Sequence, residues 1–147
     1  MDLIVLKPTD QDSILAYERA RAEQLHSDPM ERELSSWKAR WRPEQLTHYL
    51  PLGWSFGAWQ DGQMIGYVLT QPFLFYRGLT QTLWVEHLAY NDKAIGEALI
   101  ESVCKWARDK HFQTVLISDL PKELQLTRKQ QKMSDDITEI TTSRIVE

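Results

Sequence analysis

The sequence has almost no cysteine and no long apolar run, and each absence excludes a class of protein. Cys104 is the one cysteine among 147 residues, so no internal disulfide can form. No stretch approaches the ~20 consecutive apolar residues that a membrane-spanning helix needs. The first residues include the acidic Asp2 and too short an apolar run for a secretory signal. The sequence therefore predicts a cytoplasmic protein that does not contact a membrane.

Positive charge and motifs for metal or nucleophile chemistry are also scarce. The 17 Lys and Arg residues are outnumbered by 21 Asp and Glu, and the net charge of −4 argues against a broad nucleic-acid surface. The four histidines show no ligand spacing, so we expect no metal site. No nucleophile elbow or Walker loop is present. What remains is an ordinary globular composition whose length fits one domain over residues 1–147.

The first third of the chain predicts a strand followed by helices that proline-containing segments separate. Residues 3–6 predict an opening strand, and the apolar positions of residues 14–25 predict a helix with Glu18 on its solvent side. The Ser-Asp-Pro sequence at 27–29 breaks this helix. We expect further helices over residues 31–41 and from Pro43 to Tyr49.

Strands follow in the middle of the chain. Asp61-Gly62 between apolar runs predicts a hairpin that joins residues 54–59 to residues 64–70. A third antiparallel strand is expected over residues 81–89. Phe73 to Tyr76 continues the second strand irregularly, and an alternative role for this apolar edge is a homodimer contact.

The strongest helical pattern runs from Lys93 to Lys110, with one apolar face and one charged face. Residues 114–117 read as a buried strand. Since a helix separates it from the preceding strand, the two should lie parallel. Pro121 to Gln131 predicts a polar helix capped by Asp119, and residues 137–146 predict a last strand.

This order of elements resembles the GCN5-related N-acetyltransferase (GNAT) superfamily over most of the chain. Three stretches carry the resemblance: WSFGAWQDGQMIGYVL from Trp54, WVEHLAY from Trp84, and AIGEALIESVCKWARDKHFQTVLIS from Ala94. The resemblance implies an α/β fold whose mixed, mainly antiparallel sheet has helices on both faces. It also implies that the fourth and fifth strands splay apart around the pantetheine arm of acetyl-CoA, the cosubstrate.

The same resemblance assigns the diphosphate of acetyl-CoA to the start of the long helix, where unpaired amides and the helix dipole favour an anion. The residues that it assigns to acetyl-CoA, through their backbone and with the help of one lysine side chain, are Leu88, Ala89, Tyr90, Lys93, Ala94, Ile95 and Gly96.

The loop at this helix start departs from the family pattern Gln/Arg-x-x-Gly-x-Gly/Ala. Residues 91–96 read Asn-Asp-Lys-Ala-Ile-Gly, so Gly96 alone matches. Asp92 is a good N-cap whose carboxylate would occupy or repel the anion site, and Lys93 is the nearby cation that offsets it. We therefore expect a degenerate phosphate loop.

Two functions remain open at this point. The first is acetyl transfer from acetyl-CoA to an amine of a small molecule or peptide. The second is an inactive domain that binds a ligand or a protein partner. The altered loop favours the second, and so does the absence of a tyrosine after Tyr90, because the family often uses a later tyrosine to protonate the departing thiolate.

Glu86 and His87 are the candidates for acid–base chemistry. An amine must be neutral to attack a thioester, so a base is useful, and several members of the family place a glutamate in this strand. Strand alternation predicts that the two side chains face opposite sides, and Glu86 is the preferred base. The structural alternative is that Glu86 pairs with a basic side chain and His87 is hydrogen-bonded in place.

The remaining candidates are expected to serve packing. Cys104, in the middle of a helix near its apolar face, is expected to be a small core residue. The aromatic residues between positions 37 and 59 are expected to fill the core. Trp37 and Trp41, four apart on one helix, are the better candidates to line an acceptor pocket. The aromatic group comprises Trp37, Trp41, Tyr49, Trp54, Phe56 and Trp59.

Overall fold

The structure is a computed structural model that describes residues 1–38, 42–73 and 81–144. Its strands in chain order are β1 (Asp2–Val5), β2 (Phe56–Gln60), β3 (Gln63–Phe73), β4 (Thr82–Tyr90), β5 (Thr114–Ser118), β6 (Arg128–Lys132) and β7 (Ile137–Arg144). Its helices are α1 (Gln11–Leu25), α2 (Pro29–Lys38), α3 (Gln45–Tyr49) and α4 (Lys93–Asp109), with short 3₁₀ turns at Pro8–Asp10 and Leu50–Leu52.

The described strands form one sheet in the order β1-β2-β3-β4-β5-β7-β6. β4 and β5 pair in parallel and are joined by α4, whereas the other neighbours are antiparallel. The β2–β3 hairpin turns at Asp61 and Gly62, whose φ angles of 53° and 77° suit the Asp-Gly pair. The predicted parallel pair and the predicted hairpin are thus confirmed.

Each face of the sheet buries its own cluster of apolar side chains. On one face, Leu99 and Val103 of α4 pack with Val68 and Val85 of the sheet, all of them almost fully buried. On the other face, Ile14 and Leu46 from α1 and α3 pack with Tyr67, Leu69 and Ala89. The helices on both faces that the sequence predicted are therefore present.

The predicted polar helix over residues 121–131 is wrong. Residues 128–132 form β6, and the segment before it runs as turns along α4. Tertiary contacts override the helical pattern here. Leu124 is buried in the core, the Gln125 amide donates to Glu97 at 2.5 Å, and the Arg128 guanidinium reaches Glu101.

Some sequence predictions fall outside the described residues. These concern Trp41 and the Leu74–Tyr76 part of the proposed dimer edge, while the side chain of Trp37 is also not described. Among the described helices, none combines the length and the apolar character that crossing a bilayer would require.

We predict that Arg128→Ala lowers the free energy of unfolding by about 3 kcal/mol, because it leaves Glu101 facing a cavity without its partner. Arg128 is 4% exposed and donates to Glu101 Oε1 at 2.7 Å and to the Thr142 carbonyl. Urea unfolding measures the loss. The matched control is Lys129→Ala, an exposed neighbour on β6, which should change stability by about 0.5 kcal/mol at most. Equal effects of the two substitutions on stability would contradict the role of Arg128 as the buried partner of Glu101.

Candidate functional site

A cleft opens where β4 and β5 part. Their pairing runs from Thr82–Thr114 to Val85–Ile117, and beyond that point the described part of β5 offers β4 no further partner. The resulting space, which we call the β4–β5 cleft, has a volume of about 200 Å³. It is lined by Trp84, Val85, Glu86, His87, Leu88, Ile117, Ser118, Asp119 and Pro121. Glu86 and Leu88 thus both line this cleft, together with the residues that end β5.

A β-bulge shapes the wall of this cleft. On β3, Leu69 pairs with His87 and the next residue, Thr70, pairs with Val85, so Glu86 is an extra residue on β4. The bulge reverses the alternation of side chains. Val85 before it and Leu88 after it therefore both pack towards α4.

The expectation that Glu86 and His87 face opposite sides is wrong, and the bulge is the reason. Glu86 contacts Gln45 of α3, and His87 contacts Glu18 of α1, so both side chains lie on the α1–α3 face of the sheet. Strand alternation would have separated them. Two titratable side chains of β4 therefore lie on this face where one was expected.

Neutral donors hold the Glu86 carboxylate. Trp84 Nε1 donates to Oε2 at 2.6 Å, and Gln45 Nε2 donates to Oε1 at 3.1 Å. Burial raises the pKa of Tyr49, and the charge of Glu86 and a hydrogen bond to it add to the increase. These contacts fix the orientation of a carboxylate without neutralising its charge, since none of these donors is a cation. The described contacts of Glu86 are therefore neutral hydrogen bonds and not the basic partner of the structural alternative.

A second carboxylate lies behind His87. Glu18 Oε1 accepts from the Tyr67 hydroxyl at 2.5 Å and lies 3.4 Å from His87 Nε2. Burial alone would raise the pKa of Glu18. The hydrogen bonds from His87 and Tyr67 and the attraction of His87 and Arg21 outweigh burial, and the pKa falls below its usual value. Glu18 is therefore an ionised, half-buried acceptor for His87.

The start of α4 is capped by its own chain. Asp92 Oδ1 accepts from the amides of Ala94 and Ile95 at 3.0 and 3.3 Å, and the Asp92 carbonyl accepts from the Ile95 and Gly96 amides. A carboxylate thus occupies the position at which these amides would meet an anion. Gly96 has a separate reason to be glycine, because a Cβ there would lie 2.8 Å from the Tyr90 ring.

The segment after β5 closes over the same end of α4. The Tyr90 hydroxyl donates a hydrogen bond to Glu123, and the Gln125 amide donates to Glu97. Burial, followed by the bond to Glu123 and its charge, raises the pKa of Tyr90 to about 12. Tyr90 ends β4 and Glu123 follows β5, so this hydrogen bond ties the end of β4 to the segment after β5.

Other candidates serve packing. Cys104 is fully buried, and burial raises the pKa of its thiol to about 12, which agrees with the predicted core role. Trp54 packs against Phe112 and Trp106, and Phe56 also contacts Trp106. Within the described ranges, no three His, Cys, Asp or Glu side chains lie close enough together to hold a metal ion.

Sequence reasoning missed the residues of α1, α3 and β3 that contact Glu86 and His87. Glu18 was expected on the solvent side of its helix, and Gln45 and Tyr67 had no predicted role. Tyr67 and Glu18 are 49 positions apart in the chain, and their contact depends on how α1 crosses β3. No local pattern contains that information.

We predict that Glu18→Gln lowers stability at neutral pH and that the difference from wild type disappears in acid. The pKa of Glu18 in the folded protein lies below the usual value of about 4.5, so its ionised form stabilises the fold. This stabilisation is present above about pH 4.5 and is lost as the pH falls through the lower, folded-state pKa. Urea unfolding at a series of pH values measures it, and the exposed Glu23→Gln on the same helix is the control. A pH-independent difference would contradict the prediction.

Comparison with known proteins supports the fold. The structure is similar to the PaiA N-acetyltransferase of Thermoplasma acidophilum in complex with coenzyme A, with a TM-score of 0.64 and 14% identity over 95% of this chain and 98% of that chain. It is also similar to a ribosomal-protein-alanine N-acetyltransferase of Brucella melitensis, with a TM-score of 0.58 and 19% identity over 83% and 82% of the two chains. TTHA1254 of Thermus thermophilus gives a TM-score of 0.57 and 19% identity over 84% and 79%.

At these identities the likeness shows the fold alone, and the α/β fold of the GNAT acetyltransferases that the sequence predicted is confirmed. No curated protein matches the sequence. One family model matches residues 2–140, and its description is "Protein of unknown function (DUF1999)". Because that match spans nearly the whole chain, the protein belongs to the DUF1999 family.

Proposed function

We propose that the protein is an N-acetyltransferase that moves the acetyl group of acetyl-CoA to an amine of a small molecule or peptide. The observation that supports this most is the β4–β5 cleft, in which a parallel strand pair parts beside a carboxylate held by neutral donors. Ordinary sheet packing requires neither feature. A split pair leaves a strand edge unpaired, and partial burial of a charged side chain costs free energy.

In this proposal the unpaired edge of β4 binds the arm of acetyl-CoA. Backbone groups of Leu88, Ala89 and Tyr90 pair with the amides of the pantetheine arm, as a further strand would. The arm places the thioester near the bulge, beside Glu86. The acceptor amine enters from the α1–α3 face.

Glu86 acts as the base. An alkyl ammonium gives a proton to the Glu86 carboxylate, directly or through water, and the neutral nitrogen attacks the thioester carbon. The C–S bond then breaks, an amide forms, and coenzyme A leaves. Trp84 and Gln45 hold the carboxylate in place, so it needs no reorientation before it accepts the proton.

The diphosphate of acetyl-CoA is assigned to the start of α4, at the amides of Lys93, Ala94, Ile95 and Gly96. The Lys93 side chain adds positive charge there. Because Asp92 caps two of these amides, its carboxylate must rotate away when the diphosphate binds. We propose that this makes the phosphate loop a weak one.

The same cap favours a second candidate function, a GNAT-like domain that does not catalyse and instead binds a ligand or a protein partner. A helix start already occupied by its own carboxylate, and a cleft bridged by Tyr90 and Glu123, are compatible with a closed site. The two proposals differ in whether acetyl-CoA binds.

Calorimetry separates them. The enzyme proposal predicts micromolar binding of both acetyl-CoA and coenzyme A, weakened by Lys93→Glu through loss of a cation beside the diphosphate. Lys105→Glu, an exposed lysine in the second half of the same helix, is the matched control and should bind as wild type does. Absence of binding at millimolar cosubstrate would reject the enzyme proposal and favour the second candidate.

We predict that Glu86→Gln reduces kcat by about 10²-fold or more while acetyl-CoA affinity stays unchanged, because the amide keeps the size of the side chain but cannot take a proton. Release of coenzyme A in the presence of primary amines measures kcat. Glu44→Gln, an exposed carboxylate beside α3, is the control. Unchanged turnover in Glu86→Gln would remove Glu86 from the role of base.

We predict that Asp92→Asn tightens acetyl-CoA binding severalfold. Asparagine caps a helix as well as aspartate does, but it lacks the charge that repels a diphosphate. The gain should shrink at high salt, because the effect is electrostatic. Asp109→Asn, at the other end of α4, makes the same change in net charge and should leave affinity unchanged. Equal affinities of the two variants at low salt would contradict a competition between Asp92 and the diphosphate.

A further inference from the structure

A groove beside the end of β4 has no role in the function proposed above. Arg21, Gln24 and Leu25 of α1 line it together with Tyr90 and Asn91, and its volume is about 470 Å³. The proposed function lays the pantetheine arm along the last three residues of β4, so the phosphate end of the arm arrives at residue 91. The groove lies on the α1 side of that point, and α4 packs on the other face of the sheet.

Asn91 offers hydrogen-bond donors to this groove. The buried Tyr17 hydroxyl donates to Asn91 Oδ1 at 3.0 Å, so the acceptor end of the amide is already used. The amide nitrogen carries two hydrogens, and in the described part of the chain it has no hydrogen-bond partner. Asn91 stands where the acetyltransferase loop pattern has glutamine or arginine. It therefore keeps the donor of a glutamine on a shorter side chain but lacks the charge of an arginine.

Arg21 brings a positive charge to the same groove. Its Nη1 lies 3.9 Å from Glu18 Oε1, which is an ion pair but too long for a hydrogen bond. The same Glu18 oxygen already accepts from the Tyr67 hydroxyl at 2.5 Å. A guanidinium has five donors, and none of them makes a hydrogen bond within residues 1–38, 42–73 and 81–144. Arg21 and Asn91 also line the neighbouring groove, which runs between α1 and the β2–β3 hairpin.

The charge of Arg21 also reaches the residue that contacts the start of α4. Burial and the hydrogen bond to Glu123 raise the pKa of Tyr90, and the positive charge of Arg21 opposes that increase. The Tyr90 ring packs on Gly96, in the first turn of α4. A diphosphate carries charge on both of its phosphate groups. One group can therefore meet Arg21 and Asn91 while the other meets the helix start.

A second contact of this kind offsets the weakness of the phosphate loop. The Asp92 carboxylate caps two of the amides at the start of α4 and repels an anion there. The planar, forked donors of a guanidinium match two oxygens of one phosphate group. The amide nitrogen of Asn91 adds a neutral donor beside it. The cation comes from α1, so the pattern of the loop itself does not reveal it.

We propose that Arg21 and Asn91 bind one phosphate group of the diphosphate of acetyl-CoA. Tyr17 is then a positioning residue that holds the amide of Asn91. This inference rests on the proposed acetyltransferase function, and it adds to that function two cosubstrate-binding residues outside the helix start.

Calorimetry with coenzyme A and with 3′-dephospho-coenzyme A, which retains the diphosphate, tests Arg21. We expect Arg21→Gln to weaken the binding of both compounds about tenfold, because a hydrogen-bonded cation beside a phosphate is lost. Arg19→Gln, an exposed arginine on the same helix, makes the same change in net charge and should bind as wild type does. Equal affinities of the two variants would overturn the proposal. A loss of affinity that spares 3′-dephospho-coenzyme A would also overturn it, because Arg21 would then contact the 3′-phosphate.

Asn91→Asp tests the second residue without removing the oxygen that accepts from Tyr17. The substitution exchanges the amide donors for a charged acceptor, so we expect coenzyme A to bind about tenfold more weakly or worse. Gln113→Glu is the control. It makes the same change in net charge at an exposed residue just before β5, whose first residue pairs with the opposite end of β4. An Asn91→Asp variant that binds coenzyme A as tightly as Gln113→Glu would overturn the proposal.

Turnover separates a phosphate contact from a structural effect of Arg21→Gln. The donors are acetyl-CoA and S-acetylpantetheine, which has no phosphate, and 1,4-diaminobutane and lysine methyl ester are the acceptor probes. We expect Arg21→Gln to raise KM for acetyl-CoA about tenfold with kcat unchanged, and to leave kcat/KM for S-acetylpantetheine as in wild type. An equal loss with both donors would overturn the proposal. Circular dichroism of each variant confirms that it is folded.

The proposed function and this inference fail in different ways. If wild type binds neither acetyl-CoA nor coenzyme A at millimolar concentration, the acetyltransferase function fails and the phosphate contact falls with it. If wild type binds both and Arg21→Gln binds as tightly as Arg19→Gln, the function stands and the inference alone fails.

Discussion

The extra residue on β4 is the constraint on which the rest of the site depends. β3 pairs with β4 on both sides of the bulge at Glu86. The bulge reverses which residues of β4 face each layer of helices. Leu88 and Tyr90 thereby pack towards α4, while Glu86 and His87 share the other face. The parting of β4 from β5 occurs at the same point, since their pairing ends at Val85. One inserted residue thus accounts for both the cleft and its chemistry.

The two titratable side chains that the bulge brings together are held differently. Glu86 accepts from two neutral donors and keeps its charge next to the cleft. His87 is tied to a second carboxylate that is itself tied to a buried tyrosine. A low local dielectric strengthens both sets of hydrogen bonds, and it makes each charge costly without them. The polar side chains of this face therefore form two hydrogen-bonded groups, whose members come from α1, α3, β3 and β4.

The sequence predicted the features that depend on neighbours in the chain. Asp61-Gly62 predicted its hairpin, and the apolar face of α4 predicted the parallel crossover that places β5 beside β4. The sequence failed to predict features that depend on contacts between residues far apart in the chain. The segment over residues 121–131 has a helical composition, but Glu97 and Glu101 of α4 bind Gln125 and Arg128 and hold it extended. The bulge was missed for the same reason, because only the register against Leu69 and Thr70 reveals it.

Glu97 and Glu101 of α4 also hold the segment that follows β5. Two like charges four residues apart weaken an isolated helix, so their presence on α4 is explained by the partners that they hold. Those partners keep the chain after β5 against α4 and place Glu123 within reach of Tyr90. A ligand along the unpaired edge of β4 would lie between the bulge at one end and the Tyr90–Glu123 bond at the other. Because Tyr90 also packs its ring on Gly96 at the start of α4, the end of β4 is in direct contact both with the start of the helix and with the segment after β5.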